Sequence, residues 1–430
     1  MPAQTATGPR IYNLFPLLAG PLPRWQPHLE RAQAMGFDWI FINPIQQSGH
    51  SGSLYAIKDY YAIDPRFLEE SAGSSEAQFA SMVEGAKRLG LKLMADLVIN
   101  HTAFDSPLVK QHPDWYKRGA DGQPVHPGVE VEGKTETWGD LFEIDNLGSP
   151  DRENLWAYWR ALIGAYLAAG FSGFRCDAAY KVPVALWRYL IGAARDIDRD
   201  VSFFAETLGC PSDEALEVAA SGFDFVFNSS KWWDFREPWC LDQYRQTARV
   251  CRSISFAESH DTERLASELD GDQAALKMRY AFSALLSSGV MMPIGFEHGF
   301  RRRLDVTKTR PKDWERPAVN LTGYIARLNN LKSSHAAFNQ EGPLEQWDAG
   351  DPRILMLVKW TADRREKALI LINHDRRDSA TINLARIQPF LGGTVRVEDL
   401  SPERRLAPDA KLTTATLEPS AVSVLYAWTA

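Results

Sequence analysis

The segment "NLWAYWRALIGAYLAAGFSGFRCD", residues 154–177, decides how the chain is read. Residues 154–170 are amphipathic and end in a glycine, the signature of a helix with a C-cap. Phe171 leads at once into "GFRCD" (173–177), a short apolar run that closes on Arg175 and Asp177. The same unit recurs along the chain. "RWQPHLERAQAMG" (24–36) precedes "WIFINPI" (39–45), and "EAQFASMVEGAKRLG" (76–90) precedes "KLMADLVI" (92–99). "DQAALKMRYAFSALLSSG" (272–289) precedes "VMMPIG" (290–295). With "IYNLFPLL" (11–18), "SFFAE" (202–206), "FDFVFN" (223–228) and "SISFAES" (253–259), the expected strands number eight. Eight strands, each followed by helical or loop material, predict an α/β fold, a (β/α)8 TIM barrel. A doubly wound sheet is the other arrangement considered, but the first βα turn carries no glycine-rich phosphate fingerprint.

Two stretches do not fit the repeat. From His101 to Gly148 the chain is rich in Pro, Gly, Asp and His and is too long for a loop. It is expected to be a small subdomain, spanning 101–148, inserted after strand three. From about Gly342 the pattern turns to short alternating strands: "RILMLVKW", "KALILINH", "SATINL", "TVRVEDL" and "SAVSVLYAW". These predict a C-terminal antiparallel β-sandwich domain over 342–430. The barrel would then comprise 1–100 and 149–341.

Composition bounds the function. The 430 residues are 45 % hydrophobic and 24 % charged, as in an ordinary soluble globular protein that can bury a large core. A net charge of −7 argues against nucleic acid or an anionic membrane as the main partner. No apolar run is long enough to span a bilayer, and the N-terminus lacks a signal-peptide pattern. Cys176, Cys210, Cys240 and Cys251 have neither metal-ligand spacing nor the density of a disulfide framework. A cytoplasmic location and no cofactor or metal are therefore expected. The 14 Trp, 13 Tyr and 21 Phe can fill a core, and they also suit sugars, whose C–H faces stack on aromatic planes.

Active sites of such barrels lie at the C-terminal ends of the strands. Those ends carry Asp96, Asn100 and His101, then Arg175 and Asp177, then Glu206, then His260 and Asp261. Any one of them is more commonly a helix cap, a surface charge or a satisfied structural group. Their coincidence at four strand ends is what points to chemistry. Retaining glycoside cleavage asks for this set: an ionised carboxylate as nucleophile and a protonated carboxyl as general acid. Arg175, two residues before Asp177 on a strand, shares its face and would keep it ionised. Glu206 follows the apolar "SFF", which would raise its pKa and keep it protonated. Asp261 and the two histidines would bind hydroxyls and stabilise an oxocarbenium-like transition state.

In order, "DLVINH" (96–101), "GFRCD", "FFAE" (203–206) and "FAESHD" (256–261) resemble the four signature regions of the α-amylase family, glycoside hydrolase family 13. The resemblance covers nearly the whole chain. It implies Asp177 as nucleophile, Glu206 as general acid/base and Asp261 as transition-state stabiliser, with His101, Arg175 and His260 on the sugar. "SLYAIKDYYAID" resembles the segment after strand two, which implies Tyr55 as an aromatic platform, and "TWGDLFEID" (137–145) is similar to an extra signature region. Three positions depart from the family's pattern: Ala56, Ser259, and Lys181 where many calcium-binding members have histidine. A cationic side chain opposes a dication there, so Lys181 is assigned to substrate instead.

Within the family, "PRIYNLFPLLAG", "SGSLYAIKDYY", "NSSKWWDF" and "GFRRRLDVTKTRP" resemble the catalytic part of the α-1,4-glucan:maltose-1-phosphate maltosyltransferase group. In the last segment Arg301, Arg303, Lys308 and Arg310 are candidates for holding a sugar phosphate. The competing reading is a solvated basic loop paired with Asp305, Asp313 and Glu315. Trp232 and Trp233 are candidate stacking platforms, against a reading as core. The expected function is retaining action on α-1,4-glucosidic bonds of an α-glucan or maltooligosaccharide, either as maltosyl transferase or as hydrolase. A catalytically silent glucan-binding protein is the alternative of another class. Oligomeric state is not legible.

Overall fold

A computed structural model describes residues 7–131, 134–404, 406 and 413–429. Eight parallel strands close into a barrel: β1 (Arg10–Leu14), β2 (Trp39–Ile42), β3 (Lys92–Leu97), β4 (Gly173–Cys176), β5 (Ser202–Glu206), β6 (Phe225–Phe227), β7 (Arg252–Phe256) and β8 (Gly289–Pro293). Each strand pairs with its neighbours in sequence, and β8 pairs with β1. All eight expected strands are present. The first is shorter than its apolar run: Pro16 has no N–H to give a ladder, so Pro16–Ala19 turns into a short helix.

Alternation along the strands divides the core in two. Outward residues such as Leu93, Ala95, Leu97, Phe174, Cys176, Phe203 and Ala205 pack beneath the helices. Inward residues Ile11, Trp39, Phe41, Met94, Phe204, Phe225, Phe227, Ile254, Phe256 and Met291 fill the barrel. Gly173 and Gly289 make room at its base. A Cβ on Gly173 would lie 3.0 Å from the Trp39 ring, and one on Gly289 would lie 2.1 Å from Ile254 Cδ1. Above this apolar plug the inward positions turn polar, at Asn13, Asn43, Asp96, Arg175 and Glu206.

The helices of the outer layer include α1 (Gln26–Ala34), α2 (Ser75–Arg88), α3 (Arg152–Ala168), α4 (Val184–Ile197) and α5 (Ser212–Ala219). Further round lie α6 (Trp239–Thr247), α7 (Gln273–Leu286) and α8 (Thr322–Ser334). A hairpin of Gln46–Ser48 and Ile57–Ile63 follows β2, and it was not expected from the sequence. Between β3 and α3, His101–Ala103 pairs with Leu141–Glu143 and Gly128–Val131 with Lys134–Thr137. After the barrel, five antiparallel strands run in the order Leu344–Trp347, Ile354–Trp360, Glu366–Asn373, Val422–Thr429, Thr394–Asp399. One face of this sheet, through Leu355, Ile370 and Tyr426, joins the barrel's outer core. Its other face packs Met356, Leu369 and Leu425 against the pair Ala380–Asn383 and Thr414–Leu417, which completes the sandwich. Leu344–Trp347 and Thr414–Leu417 are additions to the sequence reading. The four cysteines are free thiols, and no described helix is long and apolar enough to cross a membrane.

Candidate active site

The register of three strands assembles the centre of the site. Arg175 on β4 stands opposite Asp96 on β3. Cys176 stands opposite Ala205 on β5, which brings the next residue, Asp177, level with Glu206. The Asp177 N–H continues the ladder by donating to Leu97 O at 3.1 Å. Because side chains alternate, Asp96, Arg175, Asp177 and Glu206 all turn toward the barrel axis.

The Arg175 guanidinium, nearly inaccessible, joins the three carboxylates. Its Nη1 donates to Asp96 Oδ1 at 2.8 Å and Asp177 Oδ1 at 2.7 Å, and its Nη2 lies 2.9 Å from Glu206 Oε1. The sequence reading paired it with Asp177 alone. Burial pushes the Glu206 carboxyl up to about 7, with Arg175 opposing and Asp177 and Asp261 adding to the rise. Burial likewise lifts Asp96 to about 6 against the pull of Arg175. The second Glu206 oxygen accepts the Ala178 N–H at 2.8 Å. Ala178 takes a left-handed backbone, φ 39° and ψ 51°, which is costly for a residue with a Cβ. That turn aims its N–H back at the acid.

Tyr55 closes one wall. Its hydroxyl donates to Asp96 Oδ2 at 2.7 Å, accepts from Asn43 Nδ2 at 3.0 Å and lies 2.7 Å from His260 Nε2. The two rings are parallel, with centroids 5.7 Å apart. His260 Nε2 also lies 3.0 Å from Asp261 Oδ2. Burial pushes the Asp261 carboxyl up, but the charge and hydrogen bond of His260, with Arg175 and Arg303, together outweigh it and hold it at about 2. In return Asp261 lifts the His260 imidazole above its ordinary value, against the effect of burial. His101 Nε2 donates to Tyr55 O at 3.1 Å, and burial lowers its pKa. Phe41, Leu208, Phe227, Phe256 and Met291 line the cavity beside these groups.

The outer candidates divide. Lys181 Nζ donates to Gly128 O at 2.8 Å and sits 5.2 Å from the Trp138 ring, so it ties β4 to the segment after β3. Trp232 is 53 % exposed and meets Phe256 edge-on at 6.1 Å. Trp233 corrects the sequence reading, for it is wholly buried among Phe235 and Phe282 with its indole N–H on Glu237 O. It is core: the 3-10 turn Ser230–Trp232 ends between the two indoles, which meet opposite surroundings. Of the basic loop, Arg303 reaches the site, donating from Nη2 to Asp261 O at 2.9 Å. Arg310 Nη1 is held by Thr307 O and Thr309 O, Lys308 is exposed, and Arg301 stands in the solvated part beside Arg302, which pairs with Asp313. Glu315 and Asp305 accept backbone N–H groups of the loop instead of its cationic side chains. Among the described residues no group of three or more His, Cys, Asp or Glu could hold a metal ion.

Sequence reasoning missed Asn13, Asn43 and Ala178, and it left Asp96 without a role. Asn13 Nδ2 donates to Asn43 Oδ1 at 2.8 Å, and Asn43 then supports Tyr55. Both asparagines lie at the ends of β1 and β2, where the strand-end rule would have found them.

Known proteins align with this arrangement along almost the whole chain. The α-1,4-glucan:maltose-1-phosphate maltosyltransferase of Burkholderia pseudomallei is 29 % identical over 425 residues, covering 94 % of this chain and 36 % of the relative. The enzyme of the same name from Myxococcus xanthus is 25 % identical, covering 94 % of this chain and 64 % of its own. The four signature segments, converged on one barrel mouth, thus lie within alignments that span them all. Over all four segments the chain is similar to these maltosyltransferases. A family model described as the glucanotransferase domain of glycogen debranching enzyme matches residues 10–120. In fold, the α-amylase of H. orenii superposes with a TM-score of 0.78 at 16 % identity, covering 98 % of this chain and all of that one. An α-amylase from Lactobacillus plantarum superposes with a TM-score of 0.76 at 19 % identity, covering 97 % of this chain and 98 % of that one. The chain spans about a third of the Burkholderia relative and under two thirds of the Myxococcus one.

Proposed function

We propose that this chain is a member of the α-amylase family, a retaining enzyme acting on α-1,4-glucosidic bonds, and that it transfers a maltosyl group from an activated maltosyl donor. The observation that carries the mechanism is the Arg175 guanidinium shared by Asp177 and Glu206, two carboxyls with different tasks. Asp177 attacks the anomeric carbon, and the bond from that carbon to the leaving oxygen breaks as Glu206 protonates the oxygen. The glycosyl–Asp177 ester forms, and Glu206, now ionised, takes the proton of the acceptor hydroxyl as that oxygen displaces Asp177. Asp261 stabilises the positive charge, and His260 and His101 bind hydroxyls at the ring being cleaved, which Tyr55 faces. Lys181 and Trp232 are assigned to more distant sugar units.

Transfer is favoured over hydrolysis as the reading by the named activity of the Burkholderia and Myxococcus relatives and by Arg303, a cation beside Asp261 suited to an anionic leaving group. A hydrolase would use the same machinery with water as acceptor. A silent glucan-binding protein would have no need of Asp177 and Glu206 together on one guanidinium.

Supplying maltose-1-phosphate and maltohexaose together and apart tests the reading. Phosphate release coupled to chains that grow by two glucose units is expected. Shortened or disproportionated maltohexaose without phosphate release would make the enzyme a hydrolase or glucanotransferase. Binding without any product would leave the silent alternative.

A further inference from the structure

Glu258 and Arg264 take no part in the arrangement above, yet each is 1 % exposed. Their side chains form an ion pair, Arg264 Nη1 to Glu258 Oε1 at 2.7 Å, close to an open mouth. Taking both charges out of water is costly, so the pair persists only if its geometry satisfies every polar atom. It does. The second Glu258 oxygen accepts the Leu265 N–H at 2.5 Å. One carboxylate therefore closes the base of a loop whose crest carries His260 and Asp261. Inside the loop the Asp261 N–H donates to Ser259 Oγ at 3.2 Å and the Ser259 N–H to Thr262 Oγ1 at 3.0 Å.

The three nitrogens of Arg264 go to three segments. Beyond Glu258, Nη2 donates to Ile294 O at 2.8 Å, just after β8, and Nε to Arg302 O at 3.2 Å. Arg303, the residue after that acceptor, returns the contact through Nη2 to Asp261 O at 2.9 Å. Two guanidiniums thus cross between the loops after β7 and β8 in opposite directions, each ending on a backbone carbonyl. The backbone at Asp261 is held from below through the Glu258 closure and from above through Arg303.

We infer that Glu258, Arg264 and Arg303 form a reciprocal clasp that sets the position of the Asp261 carboxylate and the His260 imidazole. Glu258 and Arg264 are positioning residues for the group that stabilises the transition state. The clasp also links Asp261 to the basic loop, so a shift of that loop is felt at the carboxylate. This inference rests on the reading of Asp261 proposed above.

The test uses Arg264→Lys, which keeps the charge but loses the fork, Glu258→Gln, and Arg303→Ala, whose exposed side chain puts the fold at no risk. The substrate is α-maltosyl fluoride, whose fluoride leaves without protonation, so its release reports on Asp177 and Asp261 more than on Glu206. The second readout is the pH titration of the His260 ring by NMR. Expected are a fall in kcat of about 10- to 100-fold with KM within about threefold, as for a group displaced by a fraction of an ångström. The His260 pKa should drop toward its ordinary value as Asp261 moves away, and Glu258→Gln should be the mildest of the three. Variants that lose only thermal stability, with kcat and the His260 titration unchanged, would overturn the clasp. If Arg264→Lys fails to fold, Glu258→Gln carries both readouts and Arg303→Ala the His260 titration, because the rate of the latter also reports the charge beside the leaving group. If the wild-type protein releases no fluoride, the α-glucoside reading is what fails. The His260 titration in Arg303→Ala then decides the clasp alone: a lowered pKa supports it and an unmoved one rejects it.

Discussion

Arg175 Nη2 lies 2.9 Å from Glu206 Oε1, and the same guanidinium grips Asp177 through Nη1 at 2.7 Å. The proposed nucleophile and acid are thereby held by one rigid, permanently charged plane, whose position is fixed in turn by Asp96. Replacing Arg175 by Ala would leave three carboxyls facing each other without a cation. Uncompensated buried charge of this kind costs about 3–5 kcal/mol. A lowered melting temperature together with a fall in kcat of at least about 1,000-fold is expected. Arg175→Lys should recover part of the stability and little of the rate, because one ammonium cannot replace a two-sided fork.

In the proposed role of acid Glu206 acts only while protonated, and burial pushes its pKa up to about 7. With substrates whose leaving group needs a proton, activity should fall about tenfold per pH unit above that value. Glu206→Gln should abolish this turnover while keeping the fold, as should Asp177→Ala. Wild-type-like rates from either variant would refute the mechanism.

The same shift bears on stability. A carboxyl whose folded pKa is raised holds its proton better in the fold than in the unfolded chain. Its contribution is complete below the unfolded value, near 4.5, and is lost as pH rises through about 7. The neutral isostere escapes this loss. Glu206→Gln should therefore be more stable than the wild type at pH 8 by about 1–3 kcal/mol, and the gain should vanish near pH 4. Chemical denaturation at both pH values measures it.

Tyr55→Phe removes a hydroxyl shared by Asp96, Asn43 and His260 but keeps the ring parallel to the imidazole. The expected outcome is a 10- to 100-fold loss of kcat, roughly the effect of one misplaced group, with a melting temperature close to the wild type's. Equal losses in Tyr55→Phe and Tyr55→Ala would mean that the ring face contributes nothing.

Trp232 and Trp233 are adjacent but have opposite surroundings. Trp232→Ala, at a half-exposed platform, should raise KM for oligosaccharides with little change in stability. Trp233→Ala empties a buried site and should cost about 3–5 kcal/mol in urea unfolding. The reverse pattern would place the stacking face on the wrong indole.

What the sequence by itself determined is local and periodic. Helix-to-glycine-to-strand units and apolar runs of strand length identified eight strands, because burial on both faces demands those runs. Charged residues at their ends marked the mouth, because a polar group at an inward position of a barrel strand has nowhere else to be satisfied. That was enough to name Asp177, Glu206, Asp261, His101 and His260 as candidates, whereas Tyr55 came only from the resemblance of its segment to a family motif. Where the local pattern was ambiguous, the sequence misled: "KWW" cannot say which indole faces water, and Pro16 cut short a strand that hydropathy alone would extend. Tertiary structure decided what depends on register and on contacts between distant segments. Asp96 meets Arg175 across 79 residues because β3 and β4 pair in one register. Arg303 meets Asp261 across 42 because β8 closes the barrel beside β7. The pKa of Glu206 belongs to the same class, since desolvation and neighbouring charge exist only once the strands have brought these groups together.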